Sequence, residues 1–231
     1  CPNNSCTINS TGTATQIGEF AFNTNYNDNK YIGYMYGGVD GAASTSRVQA
    51  VTNETNSTIK THLDNWYLNN IYNTDYDDYV SDTLFCNDRQ LQSEVGGAST
   101  GIGYGINTTY YGTSYRLYTI KIPSLLCGQK NDRFTVSDIA IGNGKLIYPV
   151  GLLSGDEAGL AGLAVGKYYS TNYLYTNQTW WLSGPYSFIS SGAVGSQVGN
   201  LGALGNYYVN NLYGGRPAIN LKPNTKVVGI G

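Results

Sequence analysis

Few side chains in this sequence could do covalent or metal chemistry, and their spacing argues against each familiar arrangement. The thiols are Cys1, Cys6, Cys86 and Cys127, and the one histidine is His62. No Cys-x-x-Cys occurs, and a single His cannot build a typical zinc site with these cysteines. A Ser–His–Asp relay needs an imidazole held between a nucleophile and an acid, whereas His62 lies beside the apolar stripe of a helical pattern and reads as a surface or boundary residue. Carboxylates gather in YNTDYDDYVSD (72–82) as Asp75, Asp77, Asp78 and Asp82. That run lacks the glycine and the closing glutamate of a calcium loop, so solvated turn carboxylates are expected. Asp156 and Glu157 could in principle act as a hydrolase pair, but both also suit the positive end of a helix. No catalytic residue, metal or cofactor is predicted.

What remains is recognition chemistry. Charged residues make up only 12% of the 231-residue chain, about half the usual globular share, while Tyr numbers 22 and Gly 30. Tyrosine offers a large contact area and a hydrogen bond at little entropic cost, so a chain rich in Tyr, Asn, Ser and Gly suits an extracellular binding or adhesive surface. An ordinary secreted β-rich protein with Tyr on its strands is the plainer alternative. With a net charge of −2 and no basic patch, nucleic acid is excluded as an expected partner. No apolar run approaches the ~20 residues of a membrane helix. Four cysteines allow three pairings; Cys1–Cys6, closing CPNNSC, and Cys86–Cys127, closing a long loop, are expected, with four reduced thiols as the alternative.

The elements that must position such a surface read as follows. Phe20 and Phe22 alternate in GEFAF, and KYIGYMYG (30–37) has the look of a strand, followed by a loop over 37–46. NSTIKTHLDNWYLNNI (56–71) is the clearest helix: Ile59, Leu63, Trp66 and Tyr67 form one stripe, capped by Asn56 or Ser57. Cys86-Asn87-Asp88-Arg89 is echoed by Asn131-Asp132-Arg133, so each Arg is expected to clamp its neighbouring carboxylate in a structural clasp. SYRLYTIKI (114–122) reads as a strand and DIAIGNGKLIYPV (138–150) as a hairpin. SGDEAGLAGLAVG (154–166) reads as a helix with a Ser154/Glu157 capping box and Leu160 and Leu163 on its buried side. The sum is an α+β domain spanning 1–231, with 1–29 as an N-terminal extension.

Taken in order, DNWYLNN, LFCNDR, GNGKLIYPVGLLSGDEAGLAG, WWLSGPYSF and GGRPAINLKPN resemble the bacterial branch of the C-type-lectin-like fold. That fold is shared with formylglycine-generating enzymes and with the variable proteins of diversity-generating retroelements; surface proteins of gut Firmicutes, where such a domain often follows a pilin-like N-terminus, look most similar. The resemblance covers roughly residues 30–225. Ser183-Gly184 stands where Arg-Ser is common, and Gly215 where Val is common. It implies two helices packed on short, mostly antiparallel strands, and a non-catalytic domain at the cell surface, outside the cell, that meets a protein or glycan partner. A structural subunit of a pilus or fibre, self-assembling through Tyr-rich faces, is a second expectation. A formylglycine-generating-type enzyme is a third, weakened because no Cys follows residue 127.

In this reading residues 180–221 hold the binding segment. Trp180 and Trp181 place at least one indole in the core, and Gly214-Gly215-Arg216-Pro217 makes a tight turn. Between these anchors the chain is expected to make a long excursion of small residues, SSGAVGSQVGNLGALG, exposing Tyr186, Phe188, Tyr207, Tyr208, Asn210, Asn211 and Tyr213 as contact residues.

Overall fold

The computed structural model describes residues 18–226; the expected Cys1–Cys6 pair lies outside them. Strands β1 (Glu19–Phe20) and β2 (Met35–Tyr36) precede helix α1 (Arg47–Val51), strand β3 (Thr55–Asn56) and the longest helix, α2 (Thr58–Asn70). Strands β4 (Val80–Ser81), β5 (Phe85–Cys86) and β6 (Thr109–Tyr110) lead to α3 (Gly112–Ser114), which runs on as π-helical turns through Ile120. Strand β7 (Arg133–Phe134) and helix α4 (Gly155–Leu160) follow. The C-terminal part is β8 (Trp180–Ile189), β9 (Gly192–Val198), β10 (Leu204–Tyr208), β11 (Tyr213–Gly214) and β12 (Asn220–Leu221). The class is α+β.

The main sheet runs in the order β1-β11-β8-β9-β10, with β6 also paired to β8. Every pairing in it is antiparallel except β11 with β8. Strand β8 is buried on both faces. Trp181 and Phe188 enter one core with Phe22, Tyr31, Ile59, Leu63 and Tyr67, while Trp180 and Leu182 enter a second with Ala158, Leu163 and Val198. Consecutive residues of a strand point to opposite sides, so the two adjacent indoles serve two cores, and each is fully buried. Registers shift within β8 between Trp181 and Ser187, where Gly184 takes φ +95°, a conformation open to glycine at little steric cost.

Segment 186–213 is therefore not an excursion but part of the main sheet, from the end of β8 through β9 to the edge strand β10. Its small residues form β9 and the start of β10, packed between layers; Ala193 and Val198 are fully buried. The sequence offers too few large apolar side chains there to announce a strand. Residues 18–29 also belong to the packed body: Phe20 and Phe22 are core, and Asp28 and Asn29 are buried.

Helix α2 forms as its stripe predicts. Ser57 caps it by accepting from the Lys60 amide, and Ile59, Leu63 and Tyr67 are fully buried. His62 stays exposed and stacks on Phe20, with ring centroids 4.3 Å apart. Ser154 and Glu157 do form a capping box, but α4 stops at Leu160, whose side chain is exposed; Ala158 and Leu163 supply the apolar contact instead.

Three stretches depart from their alternating patterns. Residues 29–32 form a 3-10 turn rather than a strand, leaving only Met35–Tyr36 extended. Of the expected strand 114–122, residues 114–120 are helical, because Arg116 is drawn into a buried cluster. Its Nε and Nη2 donate to the two oxygens of Asp156 at 2.8 and 2.7 Å, and Nη2 also donates to Asp88 at 2.8 Å. Residues 138–150 make turns, not a hairpin. Asp82 accepts from the amides of Val136, Ser137 and Asp138, and these bonds outweigh burial and hold its carboxyl below the usual range.

The clasp between the two Asn-Asp-Arg loops exists, but it crosses between loops. A disulfide joins Cys86 to Cys127, and β5 pairs with β7 beside it. Arg89 reaches Asp132 of the other loop, its Nε donating to Oδ1 at 2.7 Å and its backbone amide to Oδ2 at 2.8 Å. The same guanidinium donates to the Met35 carbonyl at 2.7 Å and to Asn53 Oδ1 at 2.8 Å. Every partner is buried, and removing one side of a buried ion pair leaves the other uncompensated. Arg89→Ala is expected to lower unfolding free energy by about 3–5 kcal/mol, read from urea denaturation; a change within ~0.5 kcal/mol would contradict the clasp's role.

Candidate functional site

The two ends of segment 180–216 touch. Gly214 bridges Trp180 in the parallel β11–β8 pairing, and its amide donates to the Thr179 carbonyl at 2.9 Å. Arg216 lays its guanidinium over the Trp180 ring, 4.4 Å from the centroid, and donates to the Leu174 carbonyl at 2.8 Å. Burial lowers its pKa from the ordinary guanidinium value. Trp181 is fixed independently, its Nε1 donating to the Phe20 carbonyl at 3.1 Å. Pro217, half-buried, follows Arg216 out of the turn.

From this closed frame an aromatic chain runs to the surface. Phe22 meets Trp181 edge-on at 5.9 Å, Trp181 meets Tyr213 at 5.0 Å, and Tyr213 meets Tyr207 at 5.9 Å. Tyr207 then meets Tyr208 at 6.1 Å, and Tyr208 meets Tyr26 at 6.2 Å. Offset and edge-on pairs in this range are each worth about 0.5–1.5 kcal/mol beyond area burial. The inner rings are buried, whereas Tyr207 and Tyr208 are 47% and 36% exposed. Burial raises the phenol pKa of Tyr213, with Tyr207 adding to it.

At the end of this chain lies an open depression of about 450 Å³, lined by Tyr26, Ser190, Ser191, Tyr207, Tyr208, Asn210 and Asn211. None of these carries a formal charge at neutral pH. Its rim is the β8–β9 turn, in which Ser190 and Ser191 take φ +47° and +73°. A two-residue hairpin turn with positive φ at both centres matches strand twist but is normally filled by Asn-Gly or Gly-Gly. Serines there hold strain, of order 1–3 kcal/mol each, and present two hydroxyls at the tip. Gly192 is required beside them, because a Cβ at that position would run into the Tyr208 ring.

Of the residues expected to make contact, Tyr207, Tyr208, Asn210 and Asn211 come together in this depression. Tyr213 is half-buried behind them and braces Tyr207. Tyr186 lies apart, packed against Tyr118 at 4.7 Å and Tyr110 at 6.2 Å. Phe188 is fully buried in the core and cannot be a contact residue; it sits on the inward face of a strand covered on both sides. Tyr26, Ser190 and Ser191 also line the depression, beyond the residues expected from sequence. The Ser-Ser-Gly turn was visible in the sequence. Tyr26 was not, since it arrives from far upstream, its carbonyl accepting from the Ala193 amide at 2.7 Å.

A second cavity, of about 210 Å³, lies beside the Cys86–Cys127 bridge and touches Asp88, Arg116, Asp156, Ser154, Ser183 and Gly184. Its charged groups already serve one another. Burial raises the Asp88 pKa, with Arg116 opposing; burial alone would lower Arg116, but Asp156 and Asp88 raise it. Asp156 also accepts from the Ser124 amide at 2.9 Å, and Glu157 from the Ser154 amide at 2.7 Å. The carboxylate pair considered from sequence is thus engaged in holding α3 and α4.

Comparison with protein-family models, with curated proteins and with solved structures finds no match. Arg216→Ala, which removes both the indole cover and the Leu174 bond, is expected to destabilise by about 2–3 kcal/mol. Arg216→Lys should recover only part of that, because an ammonium lacks the flat face that stacks. Full stability in either variant, by urea denaturation, would contradict the closure described.

Proposed function

We propose that this chain is a non-catalytic binding domain of the cell surface, presenting the Tyr/Asn/Ser depression at the β8–β9 tip to a protein or glycan partner. The observation that carries the reading is the pairing of a closed, buried frame with an uncharged tip whose two tyrosines stay open to solvent. Such a frame keeps aromatic contact area pre-organised, which reduces the ordering cost of binding. Strained serines at the rim support the same reading, since non-glycine residues with positive φ gather at functional turns.

The fold reading is that of a C-type-lectin-like domain, supported by the order of its sequence motifs and by the closure of Trp180 onto the Gly214–Arg216 turn. A place outside the cell is supported by the disulfide, which persists in oxidising compartments. A non-catalytic role is supported by the oxidised state of Cys86 and Cys127, the isolation of His62 and the structural engagement of Asp156 and Glu157. Among the described residues no helix is long and apolar enough to cross a membrane. Carriage on a pilus remains part of the proposal through the sequence resemblance.

The test is a screen of the wild-type chain against arrayed glycans and arrayed surface-protein peptides, repeated with the Tyr207→Ala/Tyr208→Ala double variant. Hits should weaken by roughly thirtyfold or more, the scale of a lost hot spot, while the domain stays folded, its melting temperature lowered only by the lost aromatic pairing, about 2–4 °C per kcal/mol. Undiminished binding by a folded double variant would remove the depression from consideration.

A further inference from the structure

Strand β10 ends the main sheet, and part of its outer edge is open. The Val209 amide donates inward to the Ala193 carbonyl at 3.1 Å, while the Leu204 amide points outward and donates to the Ala164 carbonyl at 3.1 Å. Donors alternate sides along an antiparallel edge strand, so the amides of Gly205 and Tyr207 face β9 and those of Asn206 and Tyr208 face outward. Among the described residues neither outward amide has an acceptor. The segment that covers the edge at Leu204, through a parallel bridge from Val165, leaves it at Gly166, which takes φ +71°. Proteins usually blunt such edges with Lys, Pro or a bulge. Here the β9–β10 register is regular, and GNYYVNNLYGG (205–215) contains no charge and no proline.

We infer that this edge pairs, antiparallel, with the same edge of a second copy of the chain about a two-fold axis through Tyr207. In that register Asn206 of one copy faces Tyr208 of the other, and the outward N–H and C=O groups of both residues join in backbone bonds on each side of the axis. The Tyr208 carbonyl accepts from the Asn211 amide at 3.0 Å and from the exposed Asn211 Nδ2 at 3.1 Å; pairing displaces the side-chain donor, which leaves one lone pair for the second copy's Asn206 amide. Tyr207 faces its counterpart in a non-hydrogen-bonded pair, where side chains approach most closely and aromatic pairs are favourable. A second copy fits better than a foreign peptide because a two-fold axis sets every charge against itself, and this edge has none to repel. The whole chain carries only −2, a balance that permits association. Pairing would set two tip depressions on one assembly and allow bivalent attachment. The backbone groups of the edge carry the inference, and Asn206→Pro probes them without touching the tyrosine side chains of the proposed binding role.

Sedimentation velocity on the full chain over a concentration series tests it. The wild type should show a reversible dimer. Asn206→Pro, which deletes an outward donor but no backbone bond to β9, should be monomeric, with a melting temperature lowered by no more than the lost bond from Asn206 Nδ2 to the Tyr118 hydroxyl accounts for. Tyr207→Lys, at an exposed position, should weaken the dimer by roughly fivefold or more through like-charge opposition, which covers the case in which the proline variant fails to fold. Tyr207→Cys should oxidise to a covalent dimer. A wild type that stays monomeric at every concentration overturns the inference and leaves the proposed binding role intact. A dimer that tolerates Tyr207→Lys while Tyr207→Cys fails to cross-link overturns it as well.

Discussion

The stacking of Arg216 on Trp180 is the contact on which the rest of this structure depends. It closes a segment that begins at Trp180 and returns to it after three strands, so that the β8–β9–β10 meander has both ends fixed at one point. The adjacent indole, Trp181, faces the other core and ties the same point to Phe20 and Phe22. One dipeptide therefore couples two hydrophobic cores and the closing turn. Loosening it would free β11, and with it the aromatic brace that runs through Tyr213 to the surface tyrosines.

Charge plays a complementary part. The chain has few ionic groups, and five of them form buried pairs that join segments far apart in sequence: Arg89 to Asp132, and Arg116 to Asp88 and Asp156. Buried pairs contribute less to net stability than to fixing one arrangement over others. Here they fix the loops that surround the disulfide, where regular secondary structure is short. The tip is left neutral, so any partner is met by shape, stacking and hydrogen bonding rather than by attraction of opposite charge.

Local signals in the sequence were legible where structure is local. The α2 stripe of Ile59, Leu63 and Tyr67, the Ser57 cap and the Ser154/Glu157 capping box depend on residues within one helix. The Cys86–Cys127 pairing also followed from the sequence. What was not legible depends on distant partners. SYRLYTIKI alternates like a strand, yet Arg116 is turned into a helix by two aspartates 28 and 40 residues away. DIAIGNGKLIYPV has the turn chemistry of a hairpin, but Asp82 holds the start of its loop instead. In the candidate site Tyr207, Tyr208, Asn210 and Asn211 were found because they are neighbours in sequence. Phe188 was misplaced because small residues around it hid a strand buried on both faces.

The claim at the centre of this account is that a rigid closure carries a solvent-facing tip. Amide hydrogen exchange across residues 180–216 measures both parts at once. The account predicts the slowest exchange, near the global unfolding limit, at Trp180–Leu182, Ser196–Val198 and Gly214, with early exchange at Ser190, Ser191 and Asn210. Uniformly fast exchange through the strands, or a tip as protected as the Trp180–Gly214 closure, would contradict it.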